Sequence, residues 1–486
     1  MKKISIVFIA AATLLAAGCT KNASDELNVN PKDPATGVGT ALFLQGELNM
    51  TNTYNTTNIA VAPFRVLSQE WNENSYEYES DYNLNYYNSP GNFWGNTYVG
   101  SIHTFNQAKQ TFPVAAPGVL RNEIIISDIL VIYSYYMLVA TYGNIPYSES
   151  ENVSIPFPKF DDAKTVYADL LTRIDTCIAG LDVTQGAMGA ADQIYGGNTT
   201  EWLKFAASLK LKMALLNAAN DPATTQTKVT EAIATGVFTS NADDALFLYD
   251  PSSVTNSSPI WNALYYGGRH DFGPGGLLVN TMNGWNDPRL PLYFTQYNGA
   301  YVGGLAGDPN NSFGGYSDFC CNVGGTLSEL YSPGYPGDLL DYAEVEFYLA
   351  EAAAQGFTAD APATHYNNAV TSSIEFWGGT AAQAATYLAQ PAVAYATATG
   401  NWQQIIGYQE FIANYNRNWD SWTAERRLGY PNINVVSPPQ GTTTSFPLRF
   451  TYPPNETTSN PANTAAAVAA LPGGIDALTA KLFWIP

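Results

Sequence analysis

The chain has 486 residues, with 21 basic against 42 acidic side chains and a formal charge of −21. Its length exceeds what one hydrophobic core usually fills, so two lobes or stacked units are expected. The acidic excess repels nucleic acid and anionic lipid headgroups and sets both aside as partners. With only 13% of residues charged and tyrosine, asparagine, threonine and glycine abundant, the exterior should be neutral, hydrogen-bonding and suited to hydroxyl-rich ligands.

At the N-terminus, Lys2-Lys3, an apolar stretch over 4–16 and Ala17-Gly18-Cys19 form a bacterial lipoprotein export signal. Cleavage before Cys19 places a diacylglycerol on its sulfur and hangs the mature chain from a membrane by lipid, which sets cytosolic enzymes aside. Ala16 stands at position minus three, where leucine is usual, with Leu15 one step back. The alternative is an ordinary secretory leader with an incidental cysteine. Loss of residues 1–18 removes Lys2 and Lys3, leaving 19 basic against 42 acidic residues and a charge of −23. Residues 19–39, polar and broken by Pro31 and Pro34, read as a tether.

Folded structure is expected from near Thr40. A helix is predicted over 121–142, stopped by Gly143-Asn144 and Pro146. Its apolar run, 129–142, holds 14 residues, fewer than the roughly 18 to 20 that span a bilayer. Further helices are predicted at about 161–180, 201–219, 339–355, 362–377 and 401–428. Val166, Leu170, Ile174 and Ile178 repeat every four residues behind a cap at Asp161 or Asp162. Trp202, Phe205, Leu209 and Met213 form one stripe, with Lys204, Lys210 and Lys212 elsewhere, as in a helix packed on one side. The chain therefore reads as mainly α, helix pairs stacked on pairs in a tetratricopeptide-like superhelix with few short strands, although no 34-residue consensus recurs. The helical scaffold covers about 40–239 and 338–430. A loop-rich region at about 240–337, glycine-, proline- and aromatic-rich, is the expected binding region, and 431–486 should wrap back over the helices.

Two aromatic clusters stand out. From Trp71 to Tyr98 there are nine aromatics in 28 residues, over twice the 13% background, with seven asparagines. Flat rings pack on the C–H faces of pyranoses while amides bond their hydroxyls, so Trp71, Tyr76 and Tyr78 are candidate ligand contacts, whereas Phe93 and Trp94 lead a helix into the core. The second cluster, Trp261, Tyr265, Tyr266, Arg269, His270 and Trp285, sits among glycines that match neither G-x-G-x-x-G nor a P-loop. Tyr265, Tyr266, Arg269 and Trp285 are the ligand candidates there, against plain loop packing.

Catalytic patterns are weak. Glu344 and Glu351 share a helix face but are expected to be solvated or paired to Arg426 or Arg427 rather than to form a hydrolytic dyad. His103, His270 and His365 are scattered, with no H-E-x-x-H, and there is no G-x-S-x-G elbow. The stretch from Asp308 through Asn310, Asn311 and Ser312 opens like a calcium loop but lacks its later ligands. Cys177, Cys320 and Cys321 are too few for a disulfide scaffold, and the adjacent pair could join each other or Cys177. No catalytic residue, cofactor or metal is assigned.

Several words recur in order: Asn28-Val29-Asn30-Pro31; Tyr142-Gly143-Asn144-Ile145-Pro146-Tyr147; Ile194-Tyr195-Gly196-Gly197 before Trp202-Leu203-Lys204-Phe205-Ala206; Ala343-Glu344-Val345-Glu346-Phe347 with Leu349-Ala350-Glu351-Ala352-Ala353; Arg426-Arg427-Leu428-Gly429-Tyr430-Pro431; and Pro447, Arg449, Tyr452-Pro453, Glu456. In this order the mature chain resembles the SusD/RagB-type, or SusD-like, nutrient-binding lipoproteins of the Bacteroidota outer membrane. It departs from their usual form at Asn144, where aspartate is common, and at Lys210 to Lys212, where arginine is frequent. The resemblance implies four tetratricopeptide-like helix pairs beside a loop-rich ligand surface. It also implies a polysaccharide-utilization role: capture of an oligosaccharide or polysaccharide at the cell surface and delivery to a SusC-like TonB-dependent transporter. Some members are implied to take peptides. A surface glycoside hydrolase and a purely structural transporter subunit are the other readings.

Overall fold

The structure, a computed structural model, describes residues 38–112, 119–269, 271–308, 332–433 and 445–486, with 315, 318, 322–323 and 326–327. The leader, Cys19, nearly all of the tether, His270, Asn310 to Ser312 and Cys320-Cys321 lie outside the described residues.

Helices dominate. The first half holds α1 (Val38–Asn55), α2 (Phe64–Leu67), α3 (Ser89–Gly95), α4 (Thr104–Thr111), α5 (Val119–Tyr142), α6 (Ala163–Gly180), α7 (Thr199–Leu216) and α8 (Pro222–Thr235). Then come α9 (Gly276–Gly284), α10 (Leu290–Tyr293), α11 (Tyr342–Ala354), α12 (Pro362–Phe376), α13 (Ala381–Leu388), α14 (Trp402–Ala413), α15 (Asn418–Leu428), α16 (Pro454–Ser459) and α17 (Pro461–Ala469). π-Helical turns occupy Asn96–His103 and Trp261–Tyr266. The pairs α1 with α4, α5 with α6, α7 with α8 and α11 with α12 pack side by side, the expected tetratricopeptide-like pairing. Polar caps set their starts: the side chains of Asp162, Asn198, Asp221 and Asp341 each accept a hydrogen bond from a first-turn N–H.

Helix α5 is the centre of the main core. By length and composition Asn122–Tyr142 would pass for a membrane span, so the shortness of the 129–142 run was not the deciding property. Burial is: 83% of its most apolar stretch lies inside the protein. The C-terminal segment closes over the end of α5, where the Phe450 N–H donates to the Thr141 carbonyl at 2.9 Å and the Arg449 guanidinium to that of Tyr142 at 3.0 Å. Phe450 stacks on Phe64 at 5.1 Å, and Trp484 is fully buried beneath the Arg426 guanidinium.

Two helix expectations need correction. Helix α7 is buried nearly all round, not on one side, because Lys210 and Lys212 are neutralised internally. Lys210 Nζ lies 2.5 Å from Asp175 and from Glu231, and Lys212 Nζ lies 2.5 Å from Asp420 and 3.1 Å from Glu344. The helix expected over 401–428 is two, broken where Asn416 adopts φ 71°. Tertiary bonds hold the break: the Asn416 N–H donates to Glu70 at 2.9 Å, and Arg417 swings inward to pair with Asp341, Glu344 and Asp420. Glu344 thus pairs with Lys212 and Arg417 rather than Arg426, and Glu351 pairs with Arg427, both carboxylates being buried.

The strands form two-stranded antiparallel ladders: β1 (Trp71–Glu73) with β5 (Phe272–Pro274), β2 (Ile145–Pro146) with β3 (Phe160–Asp161), β4 (Ala245–Phe247) with β8 (Gly337–Leu340), and β6 (Asn322–Val323) with β7 (Thr326–Leu327). Cys177 is a free, buried thiol on α6.

Candidate ligand-binding site

The β1–β5 ladder joins the segment that opens the first aromatic cluster to the one that follows Tyr265 and Tyr266 of the second. Trp71 lies opposite Pro274 and Glu73 opposite Phe272, and the Asn74 N–H donates to Asp271 at 2.8 Å. The strand requires glycine at its end: a Cβ on Gly275 would overlap the Gln69 carbonyl. On either side of this ladder the chain leaves the core as an exposed aromatic loop.

The first loop follows β1. Tyr76 is 61% exposed and holds φ 67°, a left-handed conformation that a bulky side chain adopts only when its surroundings impose it. Half-buried Tyr78 stacks on exposed Tyr86, ring centroids 3.6 Å apart and 6° from parallel, with Tyr87 edge-on to Tyr86 at 4.7 Å. The hydrogen bond between the Tyr78 and Tyr86 side chains pushes the Tyr78 hydroxyl up to about 12. Beneath, the Glu73 carboxylate accepts from the Ser80 N–H at 3.0 Å and from its hydroxyl at 2.6 Å, tying the loop to the ladder. Burial pushes the Glu73 and Glu79 carboxyl groups up, Glu79 to about 7, but both are fully enclosed and offer no group to a glycosidic bond.

The second loop precedes β5. The π-helical turn presents Tyr265 and Tyr266, the latter 63% exposed, each ring within 6.1 Å of Trp261 and 24° to 29° from parallel. Such turns recur at functional sites because they push one residue out of the helical path. Arg269 donates to both carboxylate oxygens of Asp271, Nε at 3.0 Å, and lies over Phe272. Its charge is thereby neutralised locally.

Two predicted residues belong elsewhere. Trp71 is a core residue, 1% exposed, sandwiched by the Arg65 guanidinium at 4.7 Å and Phe272 at 5.5 Å, so no ligand ring reaches it. Trp285 stands at the far end of α9 from the ladder, edge-on to Tyr408, in a cleft of about 400 Å³ whose walls include none of Tyr265, Tyr266 or Arg269. Tyr86, Tyr87 and Trp261, which complete the two platforms, were visible in the sequence only as members of the clusters; their ring-on-ring contacts mark them here. Among the described residues no group of three or more His, Cys, Asp or Glu side chains is placed to hold a metal.

The sequence model of a SusD-like family, described as "Starch-binding associating with outer membrane", matches residues 31–453. Among curated proteins none matches significantly. The fold is similar to that of a chitin-binding protein (TM-score 0.78, 22% identity, 92% of this chain and 99% of the other). It is also similar to a SusD-like protein of Bacteroides thetaiotaomicron (0.75, 23%, 92% and 98%) and to a chitin-binding SusD homologue of Flavobacterium johnsoniae (0.75, 21%, 91% and 98%). At these identities the likeness is one of fold.

Proposed function

This chain belongs to the SusD-like family of outer-membrane-associated proteins, and from that premise we propose that it is a non-enzymatic, surface-exposed glycan-binding lipoprotein. Tethered through Cys19, it captures an oligosaccharide or polysaccharide and passes it to a SusC-like TonB-dependent transporter. The observation that carries this reading is the pair of exposed tyrosine platforms, Tyr76, Tyr78 and Tyr86 on one loop and Tyr265 and Tyr266 on the other, stapled together by the β1–β5 ladder. Exposed rings presented in parallel offer stacking faces to pyranose units, and tyrosine hydroxyls and nearby asparagines offer hydrogen bonds. Because the attraction is not between charges, binding should vary little with salt.

The peptide reading is weakened by Arg269, whose guanidinium is already held by Asp271. Starch and chitin, named in the family description and in two similar structures, are the first ligands to try. Leader-free protein is run through native gels cast with amylopectin or glycol chitin, beside Tyr76→Ala and Tyr266→Ala. Retardation by one polymer that either substitution relieves supports the proposal. No retardation by any neutral polysaccharide refutes it, and reducing ends released over time would make the protein a hydrolase instead.

A further inference from the structure

The cleft that holds Trp285 is unaccounted for by the tyrosine platforms. Helix α9 separates the two, and at 1.5 Å per residue its nine residues span about 14 Å. The cleft is bounded by the end of α9, the loop over 391–399 and the first turns of α14. At about 400 Å³ it lies in the lower part of the roughly 300–1,000 Å³ range of small-ligand pockets.

Its walls divide into a fixed part and a free part. The Tyr366 hydroxyl donates to the Val393 carbonyl at 2.7 Å and pins the 391–399 loop. The Gln409 side chain is spent between Arg289 and Tyr387, at 3.0 and 2.8 Å. The Asn280 and Gln404 amides, the Tyr408 hydroxyl and the Trp285 indole N–H face the same cleft and make no side-chain hydrogen bond among the described residues. The Gln404 side-chain amide packs close over Gly400, which sits at φ 118°. Trp285 and Tyr408 meet at 73° with centroids 5.6 Å apart, forming an aromatic corner. None of the described residues lining the cleft carries a charge, in a chain with 42 acidic residues.

We propose that this cleft is a second binding site, separate from the tyrosine platforms, for one or two units of a neutral sugar. The part-buried Trp285 indole supplies its accessible face to the C–H side of a pyranose ring. The free amides and the Tyr408 hydroxyl then lie around its rim, where equatorial hydroxyls need partners. The absence of charge at the walls disfavours uronic acids, sulfated sugars and acidic peptides alike, since none of them finds a counter-charge there. The volume of about 400 Å³ suits one or two sugar units. The site shares with the proposed function only the class of ligand.

The test uses leader-free protein and three probes, maltose, cellobiose and N,N′-diacetylchitobiose, titrated by calorimetry and by saturation-transfer NMR. The expected result is that at least one disaccharide binds and that Trp285→Ala and Gln404→Ala each weaken it about tenfold or more. Tyr76→Ala and Tyr266→Ala leave that affinity unchanged. Gln404 is only part-buried, so its variant keeps the wild-type melting temperature and separates loss of binding from loss of fold. The proposal is overturned if none of the three probes binds, if the Tyr76 or Tyr266 variant abolishes binding while the Trp285 variant does not, or if a neutral tetrapeptide binds in a Trp285-dependent way and no sugar does. Polymer retardation in native gels reads the platforms and disaccharide titration reads the cleft, so the failure of one proposal is visible apart from the other.

Discussion

Replacing Lys212 with methionine isolates the energetics of the ion cluster at the centre of the fold. The ammonium lies 2.5 Å from Asp420 and 3.1 Å from Glu344, beside the Tyr133 hydroxyl at 3.0 Å, and each of the charged side chains is at most 1% exposed. Methionine fills nearly the same volume, so the change removes charge and leaves packing. Two carboxylates then share Arg417 as their remaining close cation, and removing one partner from such a buried group costs about 3–5 kcal/mol. An unfolding entropy of about 2.1 cal/mol/K per residue puts this chain near 1 kcal/mol/K, so the melting temperature should fall by roughly 4 °C. A pH signature accompanies the loss. Burial and Glu344 raise the Asp420 carboxyl above its usual 3.8 while Lys212 and Arg417 pull it down; without Lys212 it rises further. A carboxyl raised in the native state contributes stability that is fully present below its unfolded pKa and lost as pH climbs through the folded one. The deficit of Lys212→Met should therefore be largest at pH 8 and shrink toward pH 5, as read by differential scanning calorimetry at both. A loss under 1 °C at pH 8, or one that does not change with pH, would refute the reasoning.

Trp71→Ala should lower stability by about 3–5 kcal/mol, the usual effect of emptying a large aromatic site in a core, as measured by denaturant titration; an unchanged midpoint would return Trp71 to the surface. Tyr86→Ala removes the face on which Tyr78 stacks and should weaken polysaccharide retardation severalfold, while the melting temperature stays within about 1 °C because the ring is exposed. Burial, then Asp341 and Asp338, push the Asp244 carboxyl up to about 9, so it is protonated in the native state at neutral pH. Its contribution is complete below pH 4 and declines by roughly 1.4 kcal/mol per pH unit until about pH 9. Asp244→Asn keeps the bond from the Tyr342 N–H, stays neutral and should flatten the decline between pH 6 and 9. An identical slope in the variant would assign it to other groups.

The helices were legible where local signals agreed. At 163–180 the Asp162 cap, the four-residue apolar repeat and the absence of glycine before Gly180 all point to one element. At 414–417 the alternating asparagines Asn414 and Asn416 only weaken a helix; the break is fixed by Glu70 and the acid cluster, far away in the chain. The burial of Lys212 was equally invisible, since its partners lie 132 and 208 residues downstream. For the candidate site, composition singled out two segments that the structure joins through one ladder, but it could not assign their faces. Trp71 and Tyr76 are five residues apart in one aromatic run, yet pairing with β5 turns the first inward and leaves the second in solvent. Nearness in sequence misled at Trp285, because α9 intervenes and carries it away from Tyr266.

The ladder between β1 and β5 is three residues long, and it joins positions some two hundred residues apart through main-chain bonds, with the Trp71–Phe272 contact buried beneath it. Main-chain bonding does not depend on which side chains the neighbouring loops carry. The face between the loops is therefore open to change from two sides independently. At the proposed glycan site, substitution in one loop alters one part of the binding face without disturbing the other loop or the helices underneath, so recognition can diversify in the loops while the scaffold stays constant.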